Sequence, residues 1–257
     1  MDLIKHIEDN FFAVSRYWGS LNCSLTQIES ICAMNTGVTI ADINWAWNEK
    51  PLNNDDAKSI AAIKEYYKKS NLRFWWWIYP SGQSPETRRM LQDEGLRLIE
   101  KVPCMAADLN DSLSGRHFPD NIKISEVKNK NDLHTWEFIS FHGFEMPPRA
   151  REQYSAFVSS FKLGEQSPQK LFIAYLDGIP AATSLLFNYK NSAGIYYVST
   201  LSASRNKGCG RRITQAAMQS AKESGFKDVI LQATPKGAKV YLRAGFKEYC
   251  HAEIYKL

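Results

Sequence analysis

The residues Arg205-Asn206-Lys207-Gly208-Cys209-Gly210 form an Arg-x-x-Gly-x-Gly loop between a β-rich run and a helix-forming run. A loop in that position lets backbone N–H groups converge at a helix start, where the aligned peptide dipoles also favour negative charge. A pyrophosphate suits such a place. Gly208 and Gly210 permit close approach and unusual dihedrals, and Arg205, Lys207, Arg211 and Arg212 add positive charge nearby. A surface loop that needs glycine merely to turn would read the same over these six residues. Further on, Tyr241 stands four residues before Gly245-Phe246. A phenol keeps its proton at neutral pH, with an ordinary pKa of about 10, so it can protonate a leaving group. It can equally be core packing.

The elements that must position these residues are legible around them. Leu171–Leu176 and Ile179–Phe187 read as strands joined by Asp177-Gly178, the dipeptide of a tight hairpin, and Ile195–Leu201 as a further strand. Arg211–Ser224 has Ile213, Ala216, Ala217 and Ala221 at helical spacing, with Gly225 placed to end the helix. Asp228–Ala233 reads as a strand, Lys236–Ala244 as a short helix closed by Gly245, and Phe246–Lys256 as a last strand. The first half closes in the same order: Phe74–Tyr79 strand, Pro85–Glu94 helix stopped by Gly95, Leu98–Leu109 strand. Before these, Val38–Trp47 reads as a strand and Asp55–Lys69 as a helix. The polar, turn-rich stretch between Leu109 and Ile122 is the natural linker, giving domains at 1–112 and 122–257.

Composition narrows the function classes. With 44% hydrophobic and 23% charged residues, the chain has the make-up of a globular protein with a real core. A net charge of +5, with no basic run interleaved with aromatics, suits an anionic small ligand and not nucleic acid. The five cysteines (Cys23, Cys32, Cys104, Cys209, Cys250) lack CxxC or metal spacing, so neither a disulfide framework nor a metal site is expected. Residues 1–10, with Asp2, Lys5, Glu8 and Asp9, do not read as a signal peptide and no apolar run reaches membrane length, so the expectation is a cytoplasmic protein with no membrane partner.

Loop and tyrosine together resemble the GNAT N-acetyltransferases. Arg205–Gly210 matches that family's Arg/Gln-x-x-Gly-x-Gly/Ala acyl-CoA loop, and Tyr241–Phe246 its later Tyr-x-x-x-Gly-Phe element, in the family's order. The resemblance implies an α+β fold of two tandem GNAT-like units, with mixed, mostly antiparallel sheets flanked by helices. Only the second unit would bind acetyl-CoA. The first lacks both the glycine loop and the tyrosine, its Leu91 standing where the second half has Tyr241. It would be a degenerate half that supports the acceptor site of the second.

By that resemblance Arg205, Asn206, Lys207, Gly208, Cys209, Gly210 and Arg211 cradle the pyrophosphate, and the strand Ile195–Leu201 splays from Asp228–Ala233. Backbone groups near Val198, Ser199 and Thr200 would then face the pantetheine and thioester. Tyr241 would protonate the departing thiolate. The family's usual strand Glu is missing from Leu171–Phe187 and Ile195–Leu201, which leaves Glu145, and after it His142, as candidate bases. Cys209 reads as structural and the Trp75-Trp76-Trp77 run as packing. The expected reaction is acetyl transfer from acetyl-CoA to an amine of a small molecule or peptide, by a monomer or homodimer. The rival readings are an acyl-CoA-binding sensor and a Fem-type aminoacyltransferase; the latter needs no pyrophosphate loop.

Overall fold

The computed structural model describes residues 2–22, 24–112 and 120–257, so most of the expected linker lies outside the described residues. In chain order the elements are α1 (Leu3–Leu21), β1 (Leu25–Ile28), β2 (Ile31–Met34), β3 (Trp45–Asn48), α2 (Ala57–Lys69), β4 (Trp75–Ile78), α3 (Pro85–Asp93), β5 (Arg97–Asp108) and α4 (Leu109–Ser112). There follow β6 (Ile122–Glu126), α5 (Lys130–Gly143), α6 (Arg151–Ser159), β7 (Gln169–Leu176), β8 (Ile179–Tyr189), β9 (Ser192–Thr200), α7 (Cys209–Glu223), β10 (Asp228–Gln232), α8 (Pro235–Ala244) and β11 (Lys247–Lys256).

The chain folds into two compact units, each gathered from three stretches of sequence. Unit 1 takes Met1–Phe11, Cys104–Pro148 and Phe161–Tyr249; unit 2 takes Phe12–Pro103, Arg149–Ser160 and Cys250–Leu257. A cut at the linker, into 1–112 and 122–257, follows the sequence; the compact units interleave across it.

In unit 1 the strands run β6-β7-β8-β9-β10 and then the end of β5. All neighbours are antiparallel except β9 and β10, which are parallel. Val229, Ile230 and Leu231 of β10 are all buried, as a strand covered on both faces requires. One hydrophobic cluster joins Ile213, Ala217, Met218 and Ala221 of α7 to Phe172, Ala182, Leu186 and Ile195 of the sheet and to Tyr241 and Phe246. The alanines let the helix axis come close. Separately, α5 anchors on the sheet through Trp136, whose indole N–H donates to the Ser184 carbonyl at 3.1 Å. The start of α1 is stitched in by Asn10, whose amide donates to the carbonyls of Phe187 (3.3 Å) and Ser192 (3.1 Å) and accepts the Tyr196 hydroxyl (2.8 Å).

Unit 2 repeats the plan on a smaller scale, with β1-β2-β3-β4 and then the end of β11. Its parallel pair is β3 and β4. The repeat shows in the closing turns. Gly95 and Gly245 both end a helix in the left-handed region (φ 84° and 101°), and the next residue's N–H bonds back into the helix, Leu96 to Leu91 at 2.8 Å and Phe246 to Tyr241 at 3.0 Å. The strands that follow these turns, β5 and β11, are traded: the end of β5 pairs with β10 in unit 1, and the end of β11 pairs with β4 in unit 2.

One reading of the first half changes. Val38–Trp47 was expected to be one strand, but only Trp45–Asn48 is extended pairing, preceded by a 3-10 turn at Ala41–Ile43. The cause is the fully buried Asn44: its amide donates to the carbonyls of Val38 (2.8 Å), Ile40 (2.8 Å) and Arg73 (3.0 Å), and its oxygen accepts from Thr36 N–H (2.9 Å). That side chain replaces a strand partner and holds the backbone as a loop. The tryptophan run packs on both sides of its strand: Trp76 lies in the core with Ile60 and Tyr67, while Trp77 meets Trp45 at 6.0 Å and Tyr79 at 6.2 Å.

An ion pair to the buried Glu253 anchors β11 in unit 2. The Arg88 guanidinium donates to both oxygens of Glu253 (3.0 to 3.2 Å), whose side chain is 3% exposed. Arg88→Ala should lower unfolding free energy by about 2–3 kcal/mol, at the low end for a buried pair because Arg88 itself is partly solvated. Urea unfolding of the two proteins checks this.

Candidate functional site

The glycine loop lies entirely in unit 1, between β9 and α7. After β9 the chain makes a 3-10 turn at Ser202–Ser204, then turns sharply through Asn206 (φ 63°) and Gly208 (φ 89°), both left-handed. Gly208 is the N-cap of α7, and its carbonyl receives the first helical bond, from Arg212 N–H at 2.9 Å. The helix start has no side-chain cap and no acidic residue in its first turn. The N–H groups of the first turn therefore lack the intrahelical partners that later ones have, and they point along the positive end of the dipole. At Gly210 a side chain would meet Thr200 Oγ1 at 3.3 Å, so the end of β9 lies directly against this turn.

Cys209, between the two glycines, turns its side chain inward. It is 1% exposed in the hydrophobic cluster, and burial pushes its thiol pKa up. It contributes packing and its backbone, and a raised thiol pKa is the opposite of what a nucleophile needs.

The strand leading into the loop, β9, is irregular along its second half. The parallel ladder between β9 and β10 holds at Ala193↔Val229 and Gly194↔Ile230; among the described residues no pair follows on that side. On the other side the β8 register shifts between Thr183 and Leu185, a bulge at which Tyr197 takes φ 51°. Thr183 braces it, its hydroxyl lying 3.0 Å from the Tyr197 carbonyl and 2.8 Å from Ser199 Oγ. Ser199 is buried, Val198 packs against the cluster that holds Cys209 and Tyr241, and Thr200 is half-buried. Nothing in the sequence of β9 marks the bulge, because an aromatic and β-branched run reads as an unbroken strand.

Arg205 was expected to add charge around the phosphate site. Its guanidinium instead reaches back: Nε donates to the Thr200 carbonyl (3.2 Å), Nη2 to the Gly143 carbonyl (3.0 Å) and Nη1 to Glu145 (2.7 Å). Glu145, the candidate base, is thus brought to the end of β9 by an ion pair with a loop residue. It is well exposed and holds φ 55° just past the end of α5. Gly143 beside it has no room for a side chain, since a Cβ would lie 2.7 Å from Ser199 Oγ. His142 is exposed and packs its ring on Phe138 at 4.4 Å.

Tyr241 is 8% exposed, in edge contact with Phe246 (5.9 Å) and lying over Gly237, where a Cβ would come within 2.9 Å of its ring. Burial pushes its pKa well above the ordinary phenol value, so the hydroxyl keeps its proton throughout the neutral and mildly alkaline range.

The corresponding places in unit 2 are closed. Its parallel pair is bonded along all four positions, from Trp45↔Trp75 to Asn48↔Ile78. The helix region after β3 is already capped: Asn53 accepts from Asp55 N–H at 3.0 Å, and Asp56 accepts from Asn53 N–H at 2.9 Å.

Among the described residues no group of three or more His, Cys, Asp or Glu could hold a metal ion, and no helix is long and apolar enough to cross a membrane.

This architecture is shared with solved structures. A GCN5-related N-acetyltransferase from Kribbella flavida is similar with TM-score 0.74 and 18% identity, over 96% of this chain and 94% of that one. A GCN5-related N-acetyltransferase from Sphaerobacter thermophilus gives 0.64 and 15%, over 89% and 76%. A tandem GNAT protein from the clavulanic acid biosynthesis pathway gives 0.58 and 13%, over 88% and 78%. At such identities the likeness is one of fold, and that fold is a mixed α+β arrangement of tandem GNAT-like units. In sequence, residues 145–256 match the acetyltransferase (GNAT) domain family. That segment, with the glycine loop and Tyr241 inside it, is thus similar in sequence to the GNAT domain family. No curated protein matches the chain.

Proposed function

We propose that residues 122–257 carry an acetyl-CoA-dependent N-acetyltransferase, and that 1–112 is a degenerate GNAT-like half that holds no acyl-CoA. The observation that carries this reading is the uncapped, acid-free start of α7 behind a left-handed Gly208, next to a β9 whose ladder with β10 stops after two pairs. The pyrophosphate takes the N–H groups of Gly208 to Arg211, with Lys207 and Arg211 supplying charge. The pantetheine lies along Val198–Thr200. The acceptor amine attacks the thioester carbonyl; its C–N bond forms as the C–S bond breaks. Backbone donors at the β9 bulge stabilise the oxyanion, Tyr241 gives its proton to the thiolate, and Glu145 receives the amine's proton.

In this reading Arg205 is a positioning residue, supported by its bonds to the Thr200 carbonyl and to Glu145. Arg205→Ala should therefore lower kcat by about tenfold while changing acetyl-CoA affinity less than threefold, with partial recovery in Arg205→Lys. A phosphate-ligand role would give the reverse split between kcat and affinity.

One observation favours a second reading, an acyl-CoA sensor without catalysis: β7, β8 and β9 contain no Glu or His, and Glu145 is exposed and already bonded by Arg205. Thiol release from acetyl-CoA in a screen of small amines, amino acids, polyamines and peptides decides between them. Release that depends on the acceptor supports the transferase. Binding of acetyl-CoA with no release across the screen supports the sensor.

A further inference from the structure

Unit 2 has a cleft of about 440 Å³, lined by Gln83, Arg88, Lys101, Cys250, His251 and Glu253 among others. Its size is that of a small-molecule site. Its charge is uneven. Glu253 is buried and both its oxygens are engaged: Arg88 donates to each, the Tyr255 hydroxyl donates to one at 3.2 Å, and Lys101 stands 3.7 Å away. The carboxylate is thus spent inside the wall. The cations are not. Arg88 is 38% and Lys101 60% exposed, so two positive groups reach the opening against one buried negative charge. The ion pair with Glu253 fixes the guanidinium through Nε and Nη2 and leaves its Nη1 edge outside that contact. Gln83 stiffens the rim by donating to the His251 carbonyl at 3.0 Å.

A pre-oriented guanidinium edge beside an exposed ammonium is a pairing that recognises a planar or tetrahedral oxyanion. We propose that this cleft binds a small organic anion through a carboxylate or phosphate group, held by Arg88 and Lys101. The site is independent of the glycine loop.

Cys250 supplies a local probe. It is half-buried in the cleft wall, whereas Cys32, Cys104 and Cys209 are buried. The full-length protein is alkylated with iodoacetamide at constant ionic strength in chloride, inorganic phosphate or acetate, and modification of the Cys250 peptide is followed by mass spectrometry. The expected result is saturable slowing of at least fivefold by phosphate or acetate relative to chloride, with the half-protecting concentration raised about tenfold in Lys101→Gln. Lys101 is exposed, so that variant keeps the fold. Stronger protection by phosphate assigns a phosphate-bearing ligand, and stronger protection by acetate a carboxylate. No protection beyond chloride, equal protection in Lys101→Gln, or protection lost in Gly210→Asp would each overturn the proposal, the last by moving the anion to the glycine loop.

Discussion

Gly210→Asp is expected to weaken acetyl-CoA binding by about 100-fold, equivalent to about 2.8 kcal/mol, without unfolding the protein. The local geometry separates the two effects. Gly210 does not adopt a left-handed φ, and the nearest obstacle to its new Cβ is the Thr200 hydroxyl at 3.3 Å, a contact that a small shift relieves. An acidic residue in the first turn of α7, which has none, would even favour the helix through its dipole. The same charge would stand where the proposed pyrophosphate site needs N–H groups and a positive field, so binding should be lost while stability is kept. Calorimetry for affinity, with circular dichroism and thermal unfolding for the fold, reads both. Unchanged affinity in a folded variant would remove the glycine loop from the site.

Tyr241→Phe is expected to cut kcat by about 100-fold and leave acetyl-CoA affinity within threefold of the parent. In the proposed role the hydroxyl acts on the thiolate only as the C–S bond breaks, so its loss would be felt in the transition state and not in the bound ground state. The ring stays, keeping its contacts with Phe246 and Gly237. Burial raises this phenol's pKa, which means the proton-donating form persists to higher pH than in a free tyrosine. The alkaline limb of the rate profile should accordingly show no loss assignable to Tyr241 below about pH 10. Equal kcat in the two proteins would leave Tyr241 as packing only.

Much of unit 1 could be read from its residues because its signals are local. Asp177 and Gly178 both hold the positive φ that an Asp-Gly hairpin demands (53° and 82°), and β7 and β8 flank them. Gly225 and Gly245 stop their helices as their positions suggest. The exchange of closing strands left no such mark, because a strand's own residues do not name its partner. Its one trace is length: β5 runs for 12 residues, about twice a usual strand, with its first part in unit 2 and its last in unit 1.

The geometry of the candidate site was legible where backbone conformation shapes it, and less so where side chains choose partners. Gly208 announces a left-handed N-cap; Arg205 announces only a charge. Whether that charge faces a phosphate or a carboxylate depends on Glu145, sixty positions away in sequence and joined to it only by the fold. Thr183 braces the β9 bulge for the same kind of reason, through a cross-strand contact that neither strand's pattern predicts.

The proposed function requires one acetyl-CoA site, at the start of α7. Calorimetric titration of the full chain with acetyl-CoA should therefore give a stoichiometry near one per chain, with the heat abolished in Gly210→Asp; a stoichiometry near two, no binding at all, or full binding in that variant would contradict it.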